Sequence, residues 1–171
     1  ALAVPLVGNE QVLGVLSCYA REPGAFTHAV VEPITRFADQ VSLSFLEAEQ
    51  LERIALQTAA LEATANAVVI TDREGRVEWV NRAFADLTGF SPEEAVGQTP
   101  RFLKSGIQSD FYYEKMWETI LGGDVWRGEL YNRRKDGTVY VEEQTITPVP
   151  GADGTIRHFV AVKQDVTQRR R

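Results

Sequence analysis

Apolar and polar positions alternate most regularly between Trp126 and Thr147. The stretch reads as two antiparallel strands around a tight turn at Asp136-Gly137, because glycine reaches positive φ without a Cβ clash. Its flanks are rich in Val, Tyr, Ile, Thr and Trp, which suit a pleated, half-buried surface. A period of two puts Tyr140, Glu142, Gln144 and Ile146 on one face, and Val139, Val141, Glu143 and Thr145 on the other. Neither face is cleanly apolar. One of them carries Glu or Gln toward a core or a cavity.

Upstream, Val4–Val7 and Val12–Tyr19 pattern as a hairpin turning at Gly8-Asn9. Two strands alone are marginal in water, so this hairpin needs further sheet or a partner. A helical pattern then runs to about Glu62. Thr27 is a plausible N-cap, and Pro33 lies too deep for a first-turn proline, so the helix either starts near Glu32 or bends there. Apolar or small residues recur by threes and fours at Ile34, Phe37, Val41, Ser44, Ala48, Leu51, Ala55 and Thr58. That spacing resembles a coiled coil. It predicts a homodimer helix seated on Phe37, Val41, Ala48, Leu51 and Ala55, against the plainer reading of a helix packed on its own domain.

From Ala65 the pattern shortens. Strands are expected over Ala67–Thr71 and Val77–Asn81. Short helices follow through Phe84 and Leu87, at Ser91-Pro92-Glu93-Glu94, and near Pro100. A longer helix opens at Asp110 and ends at Gly122-Gly123. After the Trp126–Thr147 hairpin, a last strand spans Ile156–Val162, and Asp165-Val-Thr167 caps an outgoing helix. Strand, strand, helices, then three strands is an α+β order. It predicts a five-stranded antiparallel sheet with helices gathered on one face, which leaves room for a pocket.

Composition narrows the classes. Of 171 residues, 44% are apolar and 25% charged, as in ordinary globular chains, and the net charge of −6 argues against nucleic acid as a partner. Cys18 is the single cysteine, which fits a reducing cytoplasmic setting; it reads as an inert core residue. No run approaches the roughly 20 apolar residues of a membrane span. The abrupt apolar start at Ala1 reads as a piece of a longer protein.

Several short pieces in fixed order carry a resemblance. They are Val69-Ile-Thr-Asp72, Gly75, Asn81-Arg-Ala-Phe84, Leu87-Thr-Gly-Phe90, Glu94 and Gly97. Trp126-Arg-Gly-Glu-Leu130, Asn132-Arg-Arg-Lys-Asp-Gly137, Thr147-Pro-Val149 and Asp165-Val-Thr167 complete them. Together they resemble a PAS domain with its C-terminal PAC portion, assigned to residues 65–168. Ala3-Val-Pro-Leu6, Gly14-Val-Leu16 and Arg21-Glu-Pro-Gly-Ala-Phe26 resemble the end of a GAF domain, assigned to residues 1–50. Residues 51–64 are then a helical linker, and 169–171 begin an outgoing one. The resemblance implies a sensory module of a bacterial signalling protein, such as a two-component system. Its effector in the same polypeptide would be a kinase, a cyclic-dinucleotide enzyme or a transcription regulator. It also implies dimerisation through flanking helices.

Ligand readings follow from the same resemblance. Light-sensing LOV domains need a cysteine where Gly97-Gln-Thr-Pro100-Arg-Phe-Leu103 has Pro100, which argues against a covalent flavin adduct. Haem would need a histidine on the helix from Asp110, which has none; His28 and His158 read as structural or exposed. The run Lys115–Asn132 is similar to FAD-binding PAS domains of redox sensors, and Asn132 matches an asparagine that hydrogen-bonds the flavin ring. The second asparagine position is Glu142 and the glutamine position is Lys163, both departures. The expected pocket is Trp117, Trp126, Asn132, Tyr140, Glu142, Gln144 and Val162. Glu142 and Gln144 either pair with Arg127, Arg133 or Lys163, lie exposed, or face a wet pocket. Trp126 is read as a sheet-packing anchor rather than a stacking ring. Asp165 and Thr167 are read as the signal relay, since an aspartate at a strand exit can anchor the outgoing helix. No phosphate loop, nucleophile–base set or metal cluster is visible, so the chain reads as non-enzymatic. A ligand-free relay module and an FAD redox sensor remain the alternatives to a ligand-binding sensor.

Overall fold

The computed structural model describes residues 1–170. Contacts divide the chain into two units, 1–58 and the residues from Ala59 onward. In the first unit, β1 (Leu2–Gly8) pairs antiparallel with β2 (Gln11–Cys18). The turn is Asn9-Glu10, with φ of 50° and 64°, one residue later than the sequence suggested. Two central residues at positive φ match the right-handed twist of the strands, and asparagine tolerates that conformation. Gly8 instead ends the strand, where a Cβ would lie 2.8 Å from the Leu13 and Leu46 side chains.

The helix α1 (His28–Glu62) runs through Pro33, so the later start near Glu32 does not occur. The Thr27 carbonyl accepts from the Val30 and Val31 N–H groups at 2.9 Å, which starts the helix at its expected cap. Proline removes one interior bond, and the remaining turns carry the helix on. The helix buries Ala38 and Ser42 within its own unit. Phe37 and Leu51 are 58% and 68% exposed, Ala48 and Ala55 are exposed, and Val41 is half-buried.

The second unit is a five-stranded antiparallel sheet in the order β4-β3-β7-β6-β5. Its strands are β3 (Ala67–Asp72), β4 (Val77–Val80), β5 (Trp126–Arg133), β6 (Val139–Pro150) and β7 (Ile156–Asp165). Between β4 and β5 lie α2 (Arg82–Thr88), α3 (Pro92–Ala95), a 3₁₀ turn (Pro100–Leu103) and α4 (Asp110–Leu121). Residues two apart on the strands (Ala67 and Val69, Phe159 and Ala161) share one core with Phe84, Leu103, Met116 and Ile120. The helices therefore gather on one face, as the apolar pattern predicted.

Three details position the site. The loop joining β5 to β6 is Arg134–Thr138, longer than the tight turn expected, with Gly137 at φ 89° supplying the reversal. The outer edge of β5 is covered rather than open. The Gln108 amide donates to the Glu129 carbonyl at 3.1 Å and accepts from the Tyr131 N–H at 3.0 Å. Lys104 bridges Asn132, and the Tyr112 hydroxyl donates to the Glu129 carbonyl at 3.0 Å. Sealing an edge this way satisfies its backbone and blocks strand addition. Finally, β7 runs three residues past Val162 and gives way to a 3₁₀ turn (Thr167–Arg170) where an outgoing helix was expected. Arg171, the end of that predicted linker, lies outside the described residues.

Asn81 ties the start of this unit together and is fully buried. Its Nδ2 donates to the Leu61 carbonyl, Thr64 Oγ1 and the Asn66 carbonyl, each at 3.0 Å. Its Oδ1 accepts from the N–H groups of Val68 at 2.9 Å and Phe84 at 3.1 Å. One side chain thus caps α2 and holds the end of α1 against β3. Asn81→Ala strands several buried backbone groups and is expected to cost about 3 kcal/mol in urea unfolding.

Candidate ligand-binding site

The gap between the sheet and α4 is a cavity of about 640 Å³. That lies within the usual range for small-molecule sites. Its walls are mostly apolar, with Val69, Met116, Ile120, Leu130, Ile146 and Phe159 among them. The Trp117 ring meets Phe159 edge-on at 5.8 Å. Gly75, at φ 80°, passes so close that a Cβ would lie 2.7 Å from that ring, so glycine is required there.

The floor is polar. Asn132, Gln144 and Lys163 line it and are all at least nine-tenths buried. The register sets Gln144 opposite Lys163 and Asn132 opposite Tyr140 on paired strands, so these side chains share one face of the sheet. Behind them lies Glu142, fully buried. Its Oε1 accepts from Lys163 Nζ at 2.8 Å and Asn132 Nδ2 at 2.9 Å, and its Oε2 from the Tyr140 hydroxyl at 3.0 Å. A buried carboxylate is tolerated when a cation and further donors satisfy it. Of the pairings weighed for Glu142, the one with Lys163 is realised. Gln144 Oε1 is buried with no hydrogen-bond partner.

The network continues to the exit of β7. The Arg134 guanidinium stacks over the Tyr140 ring at 4.3 Å and pairs with Asp165 at 2.6 Å. Asp165 Oδ1 accepts from the Thr167 N–H at 2.9 Å, and Thr167 Oγ1 accepts from the Val141 N–H at 3.0 Å. Burial first, then the Glu142 charge, holds the Tyr140 hydroxyl well above its ordinary pKa, so it stays a neutral donor. Burial pushes the Asp165 carboxyl up, but hydrogen bonds from Thr167 and Arg134 outweigh it and hold the carboxyl below its usual range.

Trp117, Asn132 and Gln144 line the cavity. Glu142 and Tyr140 lie on the same sheet face but do not line the cavity. Trp126 packs edge-on against Tyr112 at 5.9 Å and does not reach the cavity lining, in keeping with a packing anchor. Val162 is a correction: it is 38% exposed on the opposite face, and its neighbours Ala161 and Lys163 line the cavity. The sequence reading started the face of β7 one residue out of step. Counting back in twos from Asp165 would have found Lys163, Ala161 and Phe159. Arg134 was missed because a loop residue carries no periodic signal. Pro100 is on the cavity wall at the position weighed for a cysteine. Cys18 is half-buried in the other unit, rather than the core residue expected. His28 is exposed, and His158 contacts Glu78 at 3.3 Å on the sheet.

A model of the PAS domain matches residues 65–168. The chain belongs to the PAS domain family. A GAF domain model matches residues 1–45. Among curated relatives, the nitrogen fixation regulatory protein of Klebsiella oxytoca is 35% identical over 107 residues, covering 63% of this chain and 22% of that protein. The blue-light-activated histidine kinase 1 of Erythrobacter litoralis is 32% identical over 142 residues, covering 81% of this chain and 36% of that protein. The chain thus spans well under half of either relative. The crystal structure of a PAS domain from Colwellia psychrerythraea aligns with TM-score 0.63 at 23% identity, covering 68% of this chain and 98% of that one. These relatives support a sensory, signal-transducing role for the PAS portion. No helix among the described residues is long and apolar enough to cross a membrane.

Two expectations test the floor and the exit. Lys163→Met leaves the buried Glu142 carboxyl without its cationic partner, and should cost about 3–5 kcal/mol in chemical denaturation. Adding Glu142→Gln should recover most of that loss. At the exit, a depressed carboxyl pKa contributes stability at neutral pH that is lost as pH falls through the folded value. The melting-temperature gap between the parent and Asp165→Asn should therefore hold steady near neutrality and close on acidification below about pH 4. A gap that widens in acid contradicts this.

Proposed function

We infer that the chain is a non-catalytic sensory input module whose cavity receives a small ligand and whose exit turn passes the change on. The observation that carries this reading is the unbroken side-chain path from the floor to the exit. It runs from Lys163 and Asn132 through Glu142, Tyr140 and Arg134 to Asp165 and Thr167. A ligand that re-orients the floor shifts Glu142 and so the stacked Arg134. The Arg134–Asp165 link then biases how the chain leaves β7, as a switch between two arrangements.

The rest of the reading concerns the whole protein. The effector, whether kinase, cyclic-dinucleotide enzyme or transcription regulator, lies in the same polypeptide and works in the cytoplasm. Two copies pair through α1, with Phe37, Val41, Ala48, Leu51 and Ala55 at the seam. The exposure of Phe37 and Leu51 supports that seam. A second reading has flavin as the ligand, held non-covalently. Gln144, a polar side chain on the cavity floor, supports it as a hydrogen-bonding contact for the ring edge. Asn132 would face the same edge. Pro100 supplies no thiol, so this reading includes no covalent adduct.

Native mass spectrometry of the purified chain tests both parts. The expected species has twice the chain mass plus a small molecule that leaves on denaturation. If that molecule carries flavin's visible absorption and the mass of FAD, it is FAD. A bare dimer favours a ligand-free relay, and a bare monomer contradicts the reading.

A further inference from the structure

The chain's lysines are Lys104, Lys115, Lys135 and Lys163. Three of them are surface groups: the side chains of Lys104, Lys115 and Lys135 keep 33%, 56% and 50% of their exposure. Lys163 keeps 3% and lines the cavity. An ammonium has three N–H donors. Among the described residues only Glu142 accepts from this one, through Oε1 at 2.8 Å. The walls nearby are apolar, with Val69, Leu130, Ile146 and Phe159 among them. A buried primary amine short of acceptors is costly as a structural element, and lysine is the side chain that forms Schiff bases with carbonyl compounds.

Two features suit Lys163 to that chemistry. The nucleophile is the neutral amine, and Glu142 Oε1 lies at hydrogen-bond distance to take the proton it must lose. The product keeps the charge balance. An iminium ion carries the same single positive charge as the ammonium it replaces, so the pairing with Glu142 survives and no new charge is buried. We propose that Lys163 captures an apolar aldehyde covalently, as an iminium ion held against Glu142, an inference that rests on the receptor reading above. Glu142 accepts one proton from the ammonium, and the freed lone pair forms the C–N bond at the carbonyl carbon. The carbonyl oxygen takes up the second ammonium proton and, with the one returned by Glu142, leaves as water while the C=N bond forms. Nothing is oxidised or reduced, and the step reverses when water attacks the iminium carbon.

The test treats the full chain with 2-naphthaldehyde and sodium cyanoborohydride, which reduces the iminium to a stable naphthylmethyl amine that peptide mass mapping locates. In parallel, 2-naphthylmethanol, the same apolar body without a carbonyl, is titrated by calorimetry. The expected result is that Lys163 is labelled at least tenfold faster than Lys104, Lys115 and Lys135, because binding holds the carbonyl beside the amine. The preference should vanish in urea, where all four lysines label alike. In the double variant Lys163→Met, Glu142→Gln the fast labelling should be lost while the alcohol still binds, and a cooperative thermal transition reports that this variant folds. If the alcohol binds but Lys163 labels no faster than the surface lysines, covalent capture is overturned and the cavity remains a receptor. If neither the alcohol binds nor Lys163 is preferred, the capture and the receptor reading fall together.

Discussion

The second unit depends on a carboxylate and an ammonium placed together in its buried interior. Glu142 is fully buried and Lys163 nearly so. Burying either without the other is costly, and apolar residues of like volume would cost less. The pair fixes geometry in return. Because one carboxylate accepts from Lys163, Asn132 and Tyr140, three side chains on three strands are held in a single arrangement. Two of those side chains form the cavity floor. The third presents its ring to Arg134.

The two ends of the unit are anchored by the same device, a short polar side chain that takes over backbone bonding where a regular element stops. At the entrance Asn81 does this for the end of α1, β3 and α2. At the exit Asp165 and Thr167 do it for the end of β7 and the neighbouring β6. Such anchors are directional and hold the chain in one path. The exit anchor differs in that Arg134 joins it to the floor, whereas the bonds of Asn81 are all to the entrance segments. That asymmetry is why the exit is read as the moving end.

Much of this was legible in the residues. The five strands and their succession along the chain followed from apolar periodicity and punctuation by Gly, Pro and Asp. So did the capping arrangement in which the Ser91 N–H donates to Glu94 at 3.0 Å. Gln144 and Glu142 stood out because polar residues interrupted a face that should be apolar. What failed did so for local reasons. The first hairpin turned one residue later because Gly8 was needed for packing, not for reversal. The helix α1 starts before Pro33 rather than near Glu32, since one lost bond near the start leaves many turns intact. Val162 was placed on the wrong face because an all-apolar run, Phe-Val-Ala-Val, has no internal marker of phase; the charged residues after it, Lys163 and Asp165, hold that information. Arg134 could not be found at all, because its role comes from a loop folding back over Tyr140.

The central claim is that the cavity floor and the exit turn are energetically one unit although Lys163 and Arg134 do not touch. A double-mutant cycle of Lys163→Met and Arg134→Gln, measured by chemical denaturation, tests it most directly. The account predicts a coupling energy of about 1 kcal/mol, carried through Glu142 and Tyr140. Additivity within about 0.3 kcal/mol would show that floor and exit are independent, and would contradict the account.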